Sequence, residues 1–299
     1  MPSAEVRENG FGYLYLDLDR LPIAWLAYRG IIRSPDRETI EPRPPSFFLF
    51  DTLHRGINST ILREGKLEGY RRTHCIGQLS RLEAVFAFPS IDDAKRGIGM
   101  LGRYEPENLV EIAPLDSTYR REVYDMGWAT NFDALGHDAA RRYWSGETYP
   151  GEDSVSEMLL SGRFAILGTR VRTKAYETVL ERDPKSVCLL EISRLAAFFG
   201  SDLGMVCPWI KGDEHGAVGY YIIRHDLEEA SKVDSMIVEE IKRNPSFEIN
   251  LQALKPFFLP PDDPEGEDYF RVPNVAELGP FRLEKLHLLI QTINGSAAL

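Results

Sequence analysis

Four groups of polar residues lie beside apolar runs that are typical of secondary structure. They are Asp51-Thr52-Leu53-His54-Arg55-Gly56, Ser80-Arg81, Tyr143-Trp144 and Glu157. Arginine and histidine donate hydrogen bonds to phosphate and sugar oxygens, and aromatic faces pack against flat rings. A carboxylate stabilises a positive charge that develops in a transition state. These residues are therefore the candidates for any chemistry that the chain performs.

Common catalytic and metal-binding motifs are missing from the sequence. It contains no GxxxxGK[ST], HExxH or GxSxG motif and no EF-hand loop. The three cysteines, Cys75, Cys188 and Cys207, are odd in number and far apart, without the Cys/His spacing of a zinc site. We therefore expect no metal and a reducing compartment.

Composition narrows the class of protein. The chain has 299 residues, of which 43% are hydrophobic and 27% charged, as in ordinary folded domains. A formal net charge of −11 repels nucleic acid and anionic lipid at long range. No run approaches about 18 apolar residues, and no signal peptide is recognised. These features predict a soluble protein without a nucleic-acid or membrane partner, cytoplasmic or secreted into a host cell without a classical signal peptide.

Periodicity and turn residues predict alternating strands and helices in the first half. The predicted strands are 13–18, 23–28, 47–53, 84–88 and 109–112. The predicted helices are 58–66, one that begins after a Ser90 cap, 132–144 and 154–160. Four prolines between residues 33 and 46 predict a loop.

The second half is predicted to be mixed as well. It contains an alternating strand with Phe164, Ile166 and Val171, a helix or strand over 187–199 and a strand over 218–224. A helix over 227–243 carries Asp226 and Glu229 as a capping pair. An exposed linker is expected at 260–268, followed by a helix over 283–293.

The first polar group resembles a motif of the ADP-ribosyltransferase family. In that family a strand ending in His or Arg precedes a small helix, which is similar to Leu53-His54-Arg55-Gly56 followed by Ile61-Leu62-Arg63-Glu64-Gly65. The segment Tyr28-Arg29-Gly30 is similar to the same motif, so the choice between Arg29 and Arg55 or His54 stays open.

Two further motifs carry the same resemblance, which covers about residues 47–175. A second strand of the family begins near a Ser or an aromatic residue, and Ser80-Arg81 precedes residues 85–88 in a similar way. A third motif brings a Glu ahead of the last core strands. Tyr143-Trp144-Ser145-Gly146 with Glu157-Met158-Leu159 resembles that motif in bacterial members.

The resemblance implies an α+β fold with an ADP-ribosyltransferase-like split β-sheet core, peripheral helices and a mixed carboxyl-terminal region. Residues 1–175 would form the NAD-binding core, and residues 176–299 would recognise the target or serve as an accessory region. The implied activity is mono-ADP-ribosyl transfer from NAD to a protein acceptor. The chain would be a bacterial effector or toxin, and ubiquitin or another host protein is a candidate acceptor.

Site roles follow from the chemistry of NAD. Loss of nicotinamide develops positive charge on the ribose carbon, and a carboxylate held in place stabilises it. Glu157 is the candidate catalytic residue. The candidate cofactor-binding residues are His54, Arg55, Ser80, Arg81, Tyr143 and Trp144.

Structural interpretations compete with each of these roles. Glu157 follows Ser154 at the spacing of a capping box, and the arginines can be surface ion-pair partners. His54 can be a structural histidine, Ser80 a turn residue, and Tyr143-Trp144 part of a helix core. The other carboxylates that stay available are Glu83, Glu111, Glu191 and the pair Glu239-Glu240.

Two other functions remain as alternatives. The chain can be a non-catalytic acidic binding module of the immunity or adaptor type, because acidic proteins hold basic partners by charge. It can also be a hydrolase of NAD or a nucleotide that releases the sugar to water.

Overall fold

The computed structural model describes residues 11–35, 45–101, 104–213, 216–224, 227–247, 249 and 280–296. Its helices are α1 (Leu21–Arg29), α2 (Phe47–Arg55), α3 (Asn58–His74), α4 (Ile91–Leu101), α5 (Met126–Thr130), α6 (Phe132–Leu135), α7 (His137–Ser145), α8 (Thr169–Arg182), α9 (Val187–Phe198), α10 (Leu227–Arg243) and α11 (Leu286–Ser296). Its strands are β1 (Gly12–Tyr15), β2 (Ile31–Arg33), β3 (Val85–Ala87), β4 (Leu109–Pro114), β5 (Arg120–Asp125), β6 (Ser156–Ser161), β7 (Arg163–Leu167), β8 (Val206–Asp213), β9 (Gly216–Ile223) and β10 (Phe281–Arg282).

The strands form three sheets within the described residues. Their orders are β1-β4-β7-β2, β3-β6-β5 and β10-β9-β8, and every pairing is antiparallel. Reciprocal backbone hydrogen bonds between Tyr13 and Phe88, at 2.9 and 2.6 Å, connect the first sheet to the second. The predicted α+β class is confirmed.

Two predicted strands are wrong, because residues 23–28 lie in α1 and residues 47–53 lie in α2. Pro22 stands in the first turn of α1, and Gly30 ends it with φ +88°. The Ser46 hydroxyl caps α2 by accepting a hydrogen bond from the Leu49 N–H at 3.0 Å. Both runs are apolar on nearly every side, and short apolar runs do not distinguish a buried helix from a buried strand.

The predicted helix at 154–160 is also wrong, because this segment forms β6. β6 is the central strand of its sheet, with β3 on one side and β5 on the other. Met158, Leu159 and Leu160 are fully buried, as expected for a strand covered on both faces. Glu157 therefore caps no helix, and the Ser154 hydroxyl donates to Asp125 Oδ2 at 2.7 Å.

Two predicted helices are present with different bounds. The helix predicted at 58–66 continues through Gly65 to His74. Gly65 and Gly69 let α11 approach this helix closely. A Cβ at Gly65 would lie 2.8 Å from Thr292 Cβ, and one at Gly69 would lie 2.6 Å from Ser296 Cβ. The helix predicted at 132–144 is interrupted at Gly136, where φ is +61°, and forms α6 and α7.

Other predictions agree with the structure. The predicted strands at 84–88, 109–112 and 218–224 correspond to β3, β4 and β9. The segment at 187–199, predicted as a helix or a strand, is the helix α9, and the predicted helix at 227–243 is α10. The helix α11 covers most of 283–293. The Ser90 hydroxyl accepts a hydrogen bond from the Asp93 N–H at 3.0 Å and begins α4. Phe164 and Ile166 lie in β7, but Val171 belongs to α8, because the chain turns at Gly168.

Several predictions fall outside the described residues. Most of the loop at 33–46 does, since residues 36–44 are not described. The capping residue Asp226 and the linker at 260–268 also lie outside them.

Contacts in the core connect residues on both sides of position 175. The largest buried cluster contains Leu14 and Phe164 together with Leu190 and Tyr221. Trp25 Nε1 donates to the Gly204 carbonyl at 2.8 Å. The division at residue 175 stays a prediction.

None of the described helices combines the length and apolar character needed to cross a membrane.

Candidate functional site

A cavity of about 360 Å³, the main cavity, lies where α2 and α3 meet β1, β3 and β6. Its aromatic lining residues are Tyr15, Phe48, Phe86, Phe88 and Tyr104, and its charged lining residues are Asp51, Arg55, Arg63, Arg81 and Glu157. This size and mixture of apolar walls with a few charged groups is typical of sites for small organic ligands.

A second cavity of about 130 Å³, the side cavity, lies next to the main cavity. The two share seven lining residues, which are Leu14, Tyr15, Phe48, Asp51, Arg55, Phe86 and Tyr104. Arg20 and Arg33 line the side cavity alone. Two cavities with a common wall suit an elongated ligand better than a compact one.

A wider and more open groove of about 1060 Å³ lies elsewhere, beside α8 and α10. Arg172, Arg194 and Phe247 contribute to its lining, and none of the described lining residues carries a carboxylate. Acid or base chemistry therefore has stronger support in the main cavity.

Glu157 is held at the wall of the main cavity by one of its two oxygens. Oε1 accepts hydrogen bonds from Arg81 Nη1 and from the Tyr143 hydroxyl, the latter at 2.7 Å. The side chain is buried, and no hydrogen bond of the described residues involves Oε2. One oxygen thus fixes the carboxylate, and the other is available to a ligand.

Arg81 connects Glu157 to a second buried carboxylate. Its Nε donates to Glu64 Oε2 at 2.8 Å, and its Nη1 donates to the Tyr143 hydroxyl at 2.6 Å. The Phe86 ring lies 4.9 Å from the guanidinium carbon. Arg63 Nε donates to Glu64 Oε1 at 3.2 Å. We call Arg63, Glu64, Arg81, Tyr143 and Glu157 the Arg81 network.

Burial and charge set the protonation of this network. Burial acts to lower the pKa of Arg81, but the charges of Glu157 and Glu64 outweigh it and raise that pKa. Burial acts to raise the pKa of Glu64, but the charges of Arg81 and Arg63 and their hydrogen bonds lower it. Burial raises the pKa of Tyr143, with Arg81 opposing and Glu157 reinforcing the shift. Tyr143 therefore remains a neutral hydrogen-bond donor near pH 7.

Ser80 supports a neighbouring ion cluster and does not line either cavity. Its hydroxyl donates to Glu68 Oε2 at 2.8 Å. Glu68 also accepts from Arg71 Nε and Nη2, at 2.9 and 2.8 Å, and from Arg72 Nε at 2.9 Å. The bond from Ser80 attaches the segment before β3 to α3, which carries Arg63 and Glu64.

The first-motif candidates occupy different environments. Arg55 lines both cavities and pairs with Asp51 at 3.0 Å. The His54 ring packs on Phe281 with centroids 4.1 Å apart, and burial followed by the Arg20 charge lowers its pKa. Arg29 is buried away from both cavities and donates to the Ser201 carbonyl at 2.5 Å. Only Arg55 of these three is brought to the cavity.

The two aromatic residues of the third motif lie in one buried cluster with Tyr124 and Leu67, and neither of them lines the main cavity. The Tyr143 hydroxyl donates to Glu157 Oε1, and Trp144 Nε1 donates to the Leu67 carbonyl at 2.8 Å. The assignment of Tyr143 and Trp144 to a cofactor stays a prediction.

Sequence reasoning assigned no role to Arg63 or Glu64. A signal existed, because Ile61, Glu64 and Glu68 follow one another at helical spacing on the buried face of α3. Acidic residues in phase with a buried isoleucine predict buried carboxylates, which need cationic partners. The identity of those partners depended on the tertiary fold.

The Glu68 cluster predicts a loss of stability in acid. Burial acts to raise the pKa of Glu68, but hydrogen bonds from Arg71 and Arg72 lower it. A depressed folded-state pKa contributes stability above the unfolded value, about 4.3, and this contribution disappears as pH falls through the folded value. Urea unfolding between pH 7 and 3 should show a shallower decline for Glu68→Gln than for wild type. The control is Glu239→Gln, which removes an exposed carboxylate that pairs with Arg243. This variant should keep the wild-type dependence of stability on pH. Equal slopes for wild type and Glu68→Gln would contradict the prediction.

Comparison with family models, with curated proteins and with solved structures finds no match to this chain. Among the residues described, no group of three or more His, Cys, Asp or Glu side chains is placed to hold a metal ion.

Proposed function

We propose that this chain is a mono-ADP-ribosyltransferase with an ADP-ribosyltransferase-like core, which transfers ADP-ribose from NAD to a protein acceptor. The observation that carries the proposal is Glu157. Its carboxylate is held by Arg81 and Tyr143 through Oε1 and keeps Oε2 for a ligand in an aromatic-lined cavity. Preorganised charge of this kind is the main device by which enzymes stabilise a developing cation.

The shape and lining of the cavities support NAD as the ligand. Flat rings of a dinucleotide would pack against the aromatic walls, such as Phe48 and Phe86. The pyrophosphate would lie against Arg55, which contacts both cavities. In this arrangement the nicotinamide ribose lies beside Glu157, and the adenosine extends towards the side cavity.

The chemical step uses few protein groups. The bond between the ribose carbon and the nicotinamide nitrogen breaks, and its electron pair leaves with neutral nicotinamide. Glu157 Oε2 accepts a hydrogen bond from a ribose hydroxyl, which strengthens as positive charge develops on the ring. A nucleophile of the acceptor protein then bonds to the same carbon and loses its proton to water.

Replacement of Glu157 tests this function. Purified chain should release nicotinamide from NAD, measured by mass spectrometry with and without cell lysate, and should transfer label to a protein. Glu157→Gln keeps the shape of the side chain but removes its charge, so we expect release to fall by at least about 100-fold. A matched control is Glu122→Gln, which changes a carboxylate on the adjacent strand β5 outside the cavity lining.

The outcomes separate the three candidate functions. Release with label transfer that Glu157→Gln abolishes supports the transferase. Release without transfer under every condition indicates NAD hydrolysis at the same carboxylate. No release from wild type rejects both and favours a non-catalytic binding module.

The acceptor would be a protein with a basic surface. The net charge of −11 favours association with a positively charged patch and opposes nucleic acid. Residues 176–299 would contribute to target selection, and a host protein such as ubiquitin is one candidate acceptor for a bacterial effector of this type.

A further inference from the structure

Arg63 presents unused hydrogen-bond donors to the main cavity. Within the described part of the chain, its only hydrogen bond runs from Nε to Glu64 Oε1 at 3.2 Å. Both terminal nitrogens remain available, and Arg63 lines the cavity with 28% of its side chain exposed. A guanidinium fork with both ends open fits two phosphate oxygens.

Arg55 presents a second cation to the same cavity. It is anchored through Nε to Asp51 Oδ2 at 3.0 Å. The helices α2 and α3 that carry Arg55 and Arg63 are joined by residues 56 and 57 alone. Each arginine is thus oriented by a carboxylate at its Nε, and both face one cavity.

The charge around the cavity favours an anion. The charged side chains that line it are Arg55, Arg63 and Arg81 with Asp51 and Glu157. Three arginines against two carboxylates leave one positive charge at the cavity wall, in a chain whose net charge is −11. Local excess of this sign raises the affinity for a phosphorylated ligand.

We propose that Arg63, together with Arg55, binds the diphosphate of the ligand and makes the main cavity selective for a nucleoside diphosphate. The identity of the ligand rests on the proposed function, but the inference concerns binding and requires no turnover. Arg63 is then a specificity-determining residue that contacts the ligand, whereas Arg81 holds Glu157.

Isothermal titration of the full chain with ADP-ribose, ADP and adenosine tests this inference. We expect wild type to bind ADP-ribose and ADP and to bind adenosine much more weakly. Arg63→Gln should weaken ADP-ribose and ADP binding by about 10- to 100-fold, because charge-assisted hydrogen bonds are lost. Adenosine binding should not change.

Arg72→Gln is a matched control on the same helix. Arg72 also pairs through Nε with a buried glutamate, Glu68, but it does not line the main cavity. We expect its affinity for ADP-ribose to equal that of wild type. Arg63→Lys keeps the charge but not the forked guanidinium, so we expect a loss of ADP-ribose affinity between those of wild type and Arg63→Gln. If Arg63→Gln has a lowered melting temperature, the affinity of Arg63→Lys decides the test.

The result that overturns the inference is equal ADP-ribose affinity in wild type and in both Arg63 variants. Absence of binding of either phosphorylated probe to wild type overturns it as well. Failure of the proposed function has a different signature, namely binding that depends on Arg63 without nicotinamide release from NAD.

Discussion

Replacing Arg81 with methionine is expected to lower the free energy of unfolding by about 3–5 kcal/mol at pH 7, because it leaves buried carboxylates without their cation. Glu64 and Glu157 both bond to Arg81, and their side chains are 0% and 7% exposed. Arg63 still contacts Glu64, but nothing else described in the structure offers a cation to Glu157. Urea unfolding measures the difference.

The control for Arg81 is Arg72→Met. Arg72 forms the same kind of pair with Glu68, but its side chain is 53% exposed and Arg71 also holds Glu68. We expect only a small change for this variant. The double variant Arg81→Met with Glu64→Gln should be more stable than Arg81→Met alone, since one unpaired charge is removed. If the unfolding free energy of Arg81→Met lies within about 1 kcal/mol of the wild-type value, Arg81 does not stabilise the fold through the Arg81 network.

Replacing Trp144 with alanine is expected to lower the free energy of unfolding by about 3–5 kcal/mol, as for other large aromatic residues in cores. Trp144 is 1% exposed and packs edge-on against Tyr124 and Tyr143, with centroids 5.2 and 4.9 Å away. The variant also loses the hydrogen bond to the Leu67 carbonyl. Thermal or urea unfolding measures this loss.

Trp144→Phe separates a core role from a ligand role. It keeps most of the apolar volume but removes the Nε1 donor, so a smaller loss of stability is expected. If Trp144 acts only in the core, the folded variant should bind ADP-ribose with wild-type affinity. Weaker binding with unchanged stability would instead support the assignment of Trp144 to the cofactor.

The combination of these variants distinguishes the parts of the site. Glu157→Gln should affect turnover, Arg63→Gln should affect ligand affinity, and Trp144→Ala should affect folding. Arg81 should affect both folding and turnover, because it is buried with Glu64 and also holds Glu157. A single variant would not separate these effects.

Local sequence signals predicted elements that depend on neighbouring residues. Ser90 followed by Asp93 predicted the start of α4, and the amphipathic pattern predicted α10 with the bounds that the structure has. The resemblance to the ADP-ribosyltransferase motifs also selected Glu157, Arg81, Tyr143 and Arg55. The first, second and fourth of these line one cavity, and Tyr143 contacts Glu157. Caps and periodicity act over one or two helical turns, so a sequence can display them directly.

The sequence by itself determined the α+β class and the net charge of −11, and it offered Glu157 as the first of several candidate carboxylates. Only the tertiary structure decided that α1 and α2 are helices and that β6 is a central strand, because periodicity alone does not distinguish a helix from a strand in short apolar runs. It also decided that residues 64, 81 and 157 meet in one ion network. Such contacts between distant positions depend on how helices and sheets pack, and no local pattern specifies them.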